Sequence, residues 1–419
     1  MLYRHVFYNI KIFIFYVLFP TTFFFLMYSF IEFKDMLFFI NNNYFQLSIF
    51  ISGVFYILPL FLATNSRNTN RNSIWFFFLF FIPLIYIFIN TNNSVIFFIV
   101  YELFLVPSYF IIKFYSPNRR SIYIANYFLI WTQLGSFLVL IGLLSAVYSS
   151  KKFNFNCLEL TSYESILIFF GFGVKVPIWP FHYWLTKTHT EAPTFFSIYL
   201  SGFLVKTALF GIWVFVFYNK NINFIIYFIF ISIGIFDASM KMWVQVDIKK
   251  LVAFATIQEM NLILLLMLVS NYNSIKFTFF FILAHTLLSS IFFYIVDVIY
   301  KRYGTRSVYS INGLINNTPY LSFLIIFSCI LFSGLPFTLK FIVEIYLFTQ
   351  IVSINSLFTF LLILVSNWIA IVSFTKHWYS LLFGGSSLKR IDLNKKEIIF
   401  FLIYQVSLVL LPFYTNYII

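Results

Sequence analysis

A chain of 419 residues that is 62% hydrophobic, 24% aromatic and only 10% charged carries more apolar surface than water tolerates, so a soluble protein of two or three domains is excluded. Disorder, fibrous repeats and a disulfide scaffold are excluded too: there are two cysteines, Cys157 and Cys329, with no CxxC spacing or neighbouring histidine to suggest zinc or an iron–sulfur cluster. The formal net charge of +14 would suggest a nucleic-acid partner on a soluble chain, but here it sits in short loops between apolar runs, the pattern of a membrane protein.

A helix crosses a bilayer in about 20 apolar residues. That ruler predicts an all-α polytopic membrane protein with about 13 transmembrane helices, near 10–31, 45–64, 74–90, 95–115, 122–148, 163–185, 194–218, 224–244, 250–271, 276–300, 318–350, 354–381 and 397–416. The runs are continuous rather than alternating, which favours helices over a barrel. Of the 27 Lys and Arg residues, seven lie within spans; of the rest, only Lys34, Lys151, Lys152, Lys220 and Lys276 fall in one set of loops, and the other fifteen fall in the alternate set. This bias places the N-terminus on the positive-inside face and the C-terminus on the opposite one. The N-terminal segment has neither a small-residue cleavage site nor an Arg-rich amphipathic character, so insertion without import processing is expected.

Within the spans, Lys11, Lys113 and Lys376 lie near ends, where a long stem can snorkel to the interface. Lys175 and Lys206 are too deep for that, and Glu102, Asp237, Glu259, Asp297, Glu344 and His285 add further titratable groups. Each ionisable group at the bilayer centre costs roughly 2.5–3.5 kcal/mol even on a lenient scale, so several on separate helices imply a shared polar interior. Asp237 and Lys241, spaced i,i+4, read as a local pair, and Asp297 as an interfacial acid.

Two spans are interrupted. Pro177 and Pro180 follow Lys175, and Ser333-Gly334-Leu335-Pro336 precedes Lys340 and Glu344. A packing kink would explain either break alone, but the charged neighbours favour broken helices that line a hydrated cavity. The landmarks also recur. In five helices counted from 74 and five from 224, the second carries a mid-span Glu (Glu102, Glu259), the fourth is broken and the fifth carries a Lys (Lys206, Lys376). Because the two sets start on opposite faces, two inverted five-helix repeats are expected: 74–218 and 219–383, flanked by N-terminal helices in 1–73 and a C-terminal helix in 384–419.

The stretch Gly173–Pro193 carries the elements Val174-Lys175-x-Pro177, His182-x-Trp184-Leu185 and His189-x-x-Ala192-Pro193. These resemble the VK-x-P, H-x-WL and AH-x-x-AP elements of the antiporter-like subunits of proton-pumping NADH:ubiquinone oxidoreductase, respiratory complex I. Leu204-Val-Lys206-Thr, Asp247-Ile-Lys249, Ala284-His285 with Ser289 and Ser290, and Tyr101-Glu102 followed by Pro107 resemble further helices of that family, over roughly residues 45–416. Gly334-Leu335-Pro336-x-Thr338 leading to the acid Glu344, with one further span, resembles the chain 4 branch, which typically has fourteen helices rather than thirteen. The sequence departs from the family at Thr186 (usually Pro), Thr188 (usually Ala), Glu259 (usually His) and Lys340 (usually neutral).

The resemblance implies a proton relay through Glu102, Lys175, Lys206, His285, Glu259 and Glu344 in the mitochondrial inner membrane, with the N-terminus in the matrix and the C-terminus in the intermembrane space. Glu102 paired with Lys175 would control uptake, Lys206 and His285 would carry the proton onward, and Glu344, modulated by Lys340 one turn away, would release it. Burial disfavours the charged form of both Lys and Glu, which brings such groups toward exchange near neutral pH. One proton moved against ~150 mV costs about 3.5 kcal/mol. No phosphate loop or dinucleotide motif supplies it; Gly171-Phe172-Gly173 lacks a third glycine and lies in a span. The resemblance therefore implies that NADH, FMN, iron–sulfur clusters and ubiquinone are held by partner subunits, that membrane-arm neighbours of the chain 2 and chain 5 types and lipids surround the chain, and that it holds no metal or cofactor itself. A multi-subunit cation/proton antiporter, which shares these motifs, and a membrane acyltransferase using His285 are the rival readings; the Phe-rich, Ala-poor composition resembles the product of an AT-biased organellar genome.

Overall fold

The computed structural model describes residues 81, 83–88, 91–116, 120–154, 158–217, 224–270, 275–353, 357–384 and 391–415. The expected spans at 10–31 and 45–64 and more than half of that at 74–90 lie outside the described residues, as do Arg4, Lys11, Lys34, Arg67, Arg71, Arg119, Cys157, Lys220, Lys389 and Arg390. The described residues are helical, with no β-structure beyond two isolated bridges, Asn93 with Asn154 and Asp247 with Ser307. The helices are α1 (Ser94–Leu103) and α2 (Leu105–Tyr115), joined through Phe104, then α3 (Ser121–Ser150), α4 (Ser162–Lys175), α5 (Tyr183–Glu191) and α6 (Thr194–Phe217). After these come α7 (Phe224–Trp243), α8 (Ile248–Val269), α9 (Ile275–Tyr303), α10 (Pro319–Phe332), α11 (Leu339–Ser353), α12 (Leu357–Leu382) and α13 (Lys395–Thr415). Seven helical stretches among the described residues are long and apolar enough to cross a membrane: the joined α1 and α2, then α3, α6, α7, α8, α9 and α12.

Local chemistry sets the helix ends. Asn93 accepts the Val95 amide at 2.9 Å to open α1, Thr161 and Glu164 form a reciprocal capping box on α4, and Asp247 accepts the Lys249 amide at 2.8 Å to open α8. The segments 163–185 and 318–350 are each two helices, as their prolines predict. In the first break the Trp184 indole donates to the Val174 carbonyl at 2.7 Å, satisfying an acceptor at the end of α4. In the second, Gly334 takes the left-handed conformation (φ +69°), and the Thr338 hydroxyl accepts the Phe341 amide at 3.3 Å to start α11.

Apolarity alone does not reveal which helices are inside. α6, α8 and α9 are enclosed over 94%, 89% and 100% of their apolar windows, against 39% for α3 and 33% for α7 and α12. The outer helices expose apolar side chains such as Ile130, Leu134, Phe137 and Ile141 on α3 and Leu361, Val365 and Trp368 on α12, a surface that suits lipid. The enclosed helices are no more apolar than the outer ones, and they are the ones that carry Lys206, Glu259 and His285.

α3 and α4 touch through glycines: a Cβ on Gly135 would lie 2.6 Å from the Gly171 carbonyl oxygen, and one on Gly171 2.7 Å from that of Gly135. At one end of the bundle, the Arg306 guanidinium donates to Thr190 O at 2.7 Å, Ile248 N to Arg306 O at 3.0 Å and the Lys249 ammonium to Ala192 O at 2.5 Å, so the loops bearing Lys187, Lys249, Lys301, Arg302 and Arg306 meet. At the other end Ser94 N donates to Phe153 O at 2.9 Å, beside Lys151 and Lys152.

Candidate functional site

α6 is not a regular α-helix. Leu200–Leu204 and Ile212–Phe217 are π-helical, and wide turns of this kind leave carbonyls available to other donors. Lys206 follows the first of them. Its ammonium folds back to donate to the Ser201 carbonyl and lies 2.6 Å from His285 Nδ1 on α9, and both side chains are buried. This contact persists in either proton state: a charged ammonium donates to a bare Nδ1, and a neutral amine accepts an Nδ1–H. Among the described residues no carboxylate forms an ion pair with Lys206; Glu259 acts on it from a distance.

Next to this pair is a second group. Lys340, on α11, is 2.6 Å from Glu259 Oε1 on α8 and 3.6 Å from Glu344 Oε1 one turn along its own helix, with Phe332 under its ammonium at 3.8 Å. Lys340 and Glu259 are only 2% and 3% exposed as side chains, so neither charge is balanced by water and each needs the other. The charged groups acting on His285 include Lys206 and Lys340, so the two groups are electrostatic neighbours. The structure therefore brings Lys206, His285, Glu259 and Glu344 into one cluster and adds Lys340 as its central cation. The two departures from the family pattern, at 259 and 340, are partners. Their opposite signs at unrelated positions were the only sequence signal for this.

The expected pairing of Glu102 with Lys175 is corrected. Among the described residues the two form no ion pair. The Lys175 ammonium stands 3.2 Å from the centre of the Tyr101 ring, without a hydrogen-bond partner, and Glu102 Oε2 instead accepts from Gln133 Nε2 on α3 at 2.9 Å. The physical reason is helical geometry: consecutive residues point about 100° apart, so only one of Tyr101 and Glu102 can face α4. Tyr101 is buried and Glu102 half-buried. Glu102 still acts on Lys175 electrostatically. Replacing Tyr101 by Leu removes the ring face that the buried ammonium contacts, so coupled proton movement should fall about 10-fold, whereas Tyr101→Phe, which keeps the ring face, should leave it near normal. Pumping rates of the two variants in reconstituted vesicles check this.

The remaining polar residues divide. His182 Nε2 is 3.1 Å from Asp237 Oδ2 and 3.1 Å from the Lys241 ammonium, which also bonds Asp237 at 2.6 Å and the Tyr183 hydroxyl at 3.0 Å. The local pair expected on α7 is thus part of a four-residue cluster against the first break. Asp297 accepts from the Thr194 hydroxyl at 2.8 Å and pairs with Lys301, tying α9 to the start of α6. His189 stacks on Phe293, ring centres 4.7 Å apart. Lys376 is exposed over Trp243, unlike the enclosed Lys206. Among the described residues no three His, Cys, Asp or Glu side chains gather as a metal-binding group.

Enclosed apolar helices, two broken segments and a buried cluster of basic and acidic side chains define a polytopic membrane protein with a charged interior. The chain belongs to the family described as "NADH:quinone oxidoreductase/Mrp antiporter, TM", whose profile matches residues 91–370. It is similar to "NADH-ubiquinone oxidoreductase chain 4" of Paramecium tetraurelia, with 38% identity over 356 residues covering 80% of this chain and 73% of that one. It is similar also to the chain 4 of Acanthamoeba castellanii, 32% identical over 329 residues, 74% and 66% of the two chains. A chain of the structure titled "Respiratory complex I from Thermus thermophilus with bound NADH" shares the fold, with a TM-score of 0.79 at 18% identity over 89% of this chain and 82% of that one.

Proposed function

We propose that this chain is a proton-translocating membrane-arm subunit of mitochondrial NADH:ubiquinone oxidoreductase, of the chain 4 type, embedded as a multi-pass protein in the inner membrane. The observation that carries the reading is the enclosed cluster of Lys206, His285, Lys340, Glu259 and Glu344, in which each ionisable group acts on the next. A proton arriving at Lys206 has His285 within direct transfer distance, and Glu344 stands at the far side of the cluster as the acid that releases it. Glu102, Tyr101 and Lys175 form the uptake side, where Glu102 modulates Lys175 through space. An acyl-transfer role for His285 suits the site poorly, because its Nδ1 is against a lysine amine and the imidazole is enclosed by apolar helices.

The same reading takes the chain as thirteen spans arranged as two inverted five-helix repeats, 74–218 and 219–383, between N-terminal helices and a C-terminal helix. The two broken helices, α4 with α5 and α10 with α11, occupy corresponding places and support this. The matrix faces the basic loops, so the N-terminus lies in the matrix and the C-terminus in the intermembrane space. Driving energy comes from electron transfer between NADH and ubiquinone, through FMN and iron–sulfur clusters, in partner subunits. Neighbours of the chain 2 and chain 5 types and lipids cover the exposed apolar helices.

Glu102→Gln tests the reading. It keeps the hydrogen bond with Gln133 possible but removes the charge that acts on Lys175. NADH-driven proton uptake by vesicles should fall several-fold while NADH oxidation by an artificial acceptor is unchanged. Loss of the acceptor reaction would assign Glu102 to assembly instead.

A further inference from the structure

The relay reading leaves open how release of a proton at one end is tied to reloading at the other, and the Glu259–Lys340–Glu344 triad addresses this. Lys340 has two carboxylates in reach, at 2.6 and 3.6 Å, on two different helices. Gly334 makes room for the longer contact: a Cβ there would lie 2.9 Å from Glu344 Oε2 and 3.9 Å from Lys340 Cγ, so the glycine leaves free the space that both side chains share. Among the described residues Glu344 Oε1 has no hydrogen-bond donor, whereas Glu259 Oε1 accepts from the ammonium. The lysine thus sits on one acid and holds the other only in a longer ion pair.

The charges in this cluster form a closed set. With Lys206, Lys340, Glu259 and Glu344 ionised and His285 neutral, the net charge is zero. Breaking an N–H bond on Lys206 and forming an O–H bond on Glu344 leaves it at zero, so the transfer adds no uncompensated charge to a dry interior. In the second state Glu344 needs no cation, and Lys340 belongs on Glu259, which is the arrangement observed. We propose that Lys340 is a swinging cation that couples release to reloading: it rests on Glu259 while Glu344 holds the transported proton and moves to Glu344 once that proton leaves. Its departure uncovers Glu259, whose charge then draws the next proton onto Lys206. Lys340 is a positioning residue rather than a carrier.

The charged groups acting on Glu344 are Lys340 from its own helix and Glu259 from α8, with the Asn367 amide from α12 beside it; α9 contributes His285, which faces Lys340. The proposal rests on the relay reading. Its test is the intact complex in proteoliposomes, with NADH-driven pumping measured over a pH series and normalised to artificial-acceptor activity. Lys340→Met removes the cation from both acids, so Glu344 ionises only at higher pH and the profile should move alkaline by about one unit. Glu259→Gln leaves Lys340 permanently on Glu344, which then gives up its proton more readily and is reloaded less well, and the profile should move acidic by about one unit. The double variant removes a balanced pair and should pump better than either single one. Should Lys340→Met not accumulate, Glu259→Gln and the double variant, which leave no unpaired cation, still carry the comparison. Shifts in the same direction, no shifts, or a double variant no better than the worse single one would overturn the proposal. If Lys206→Ala is inert while the single variants share one profile, only the swinging cation fails; if Lys206→Ala pumps normally, the relay fails with it.

Discussion

Replacing Lys206 by Arg is expected to stop proton translocation as thoroughly as replacing it by Ala, although Arg keeps the positive charge. A guanidinium does not release its proton under any condition the protein meets. If Lys206 served only to balance Glu259, the Arg variant would retain function. If it hands a proton to His285, 2.6 Å away, both variants lose it. Losing a positioned proton donor typically costs ~10²-fold or more. The measurement is the proton-to-electron ratio of the reconstituted complex for both variants, with artificial-acceptor oxidation as the control for assembly. Near-normal pumping by Lys206→Arg would reduce Lys206 to a structural charge.

The second large effect concerns packing. Gly171→Ala puts a methyl group 2.6 Å from Val139 Cγ2, 2.7 Å from Gly135 O and 2.8 Å from Val139 N. Two of these three atoms belong to backbone, which cannot rotate away as a side chain tip does, so α3 and α4 must separate. Overpacking of this kind costs about 3 kcal/mol, and the helix that moves is the one that ends at Lys175. The expected result is a marked fall in assembled complex on native gels. Gly202→Ala, whose Cβ meets no atom within 4 Å, is the matched control and should assemble normally.

The sequence shows which titratable residues lie inside spans more plainly than it shows which of them meet. Lys206, His285, Glu259 and Glu344 were legible because a charge within an apolar run has few structural explanations, and the broken helices were legible because proline leaves a mark in sequence that most tertiary contacts do not. What stayed hidden depended on rotation about helix axes. Whether Glu102 or its neighbour Tyr101 faces Lys175 is decided by about 100° of helical turn, and no run of hydrophobic residues fixes that phase in a helix apolar on every side. The π turns of α6, which set where the Lys206 ammonium points, carry no compositional mark at all. Enclosure was hidden too: α3 and α9 read alike as sequence, yet one is an outer wall and the other is the centre. The Glu259–Lys340 pair shows the intermediate case, two oddities noticed separately whose compensation only the fold reveals.

The enclosure of α9 over its apolar window, which includes His285, bears on leakage. Hydroxide, water or alkali ions escaping sideways from the imidazole would have to breach a wall made by this chain's own helices, not a seam between polypeptides. If His285 carries the proton as proposed, the charge it holds is insulated by this single subunit, and a change among neighbouring chains would not open a short circuit there.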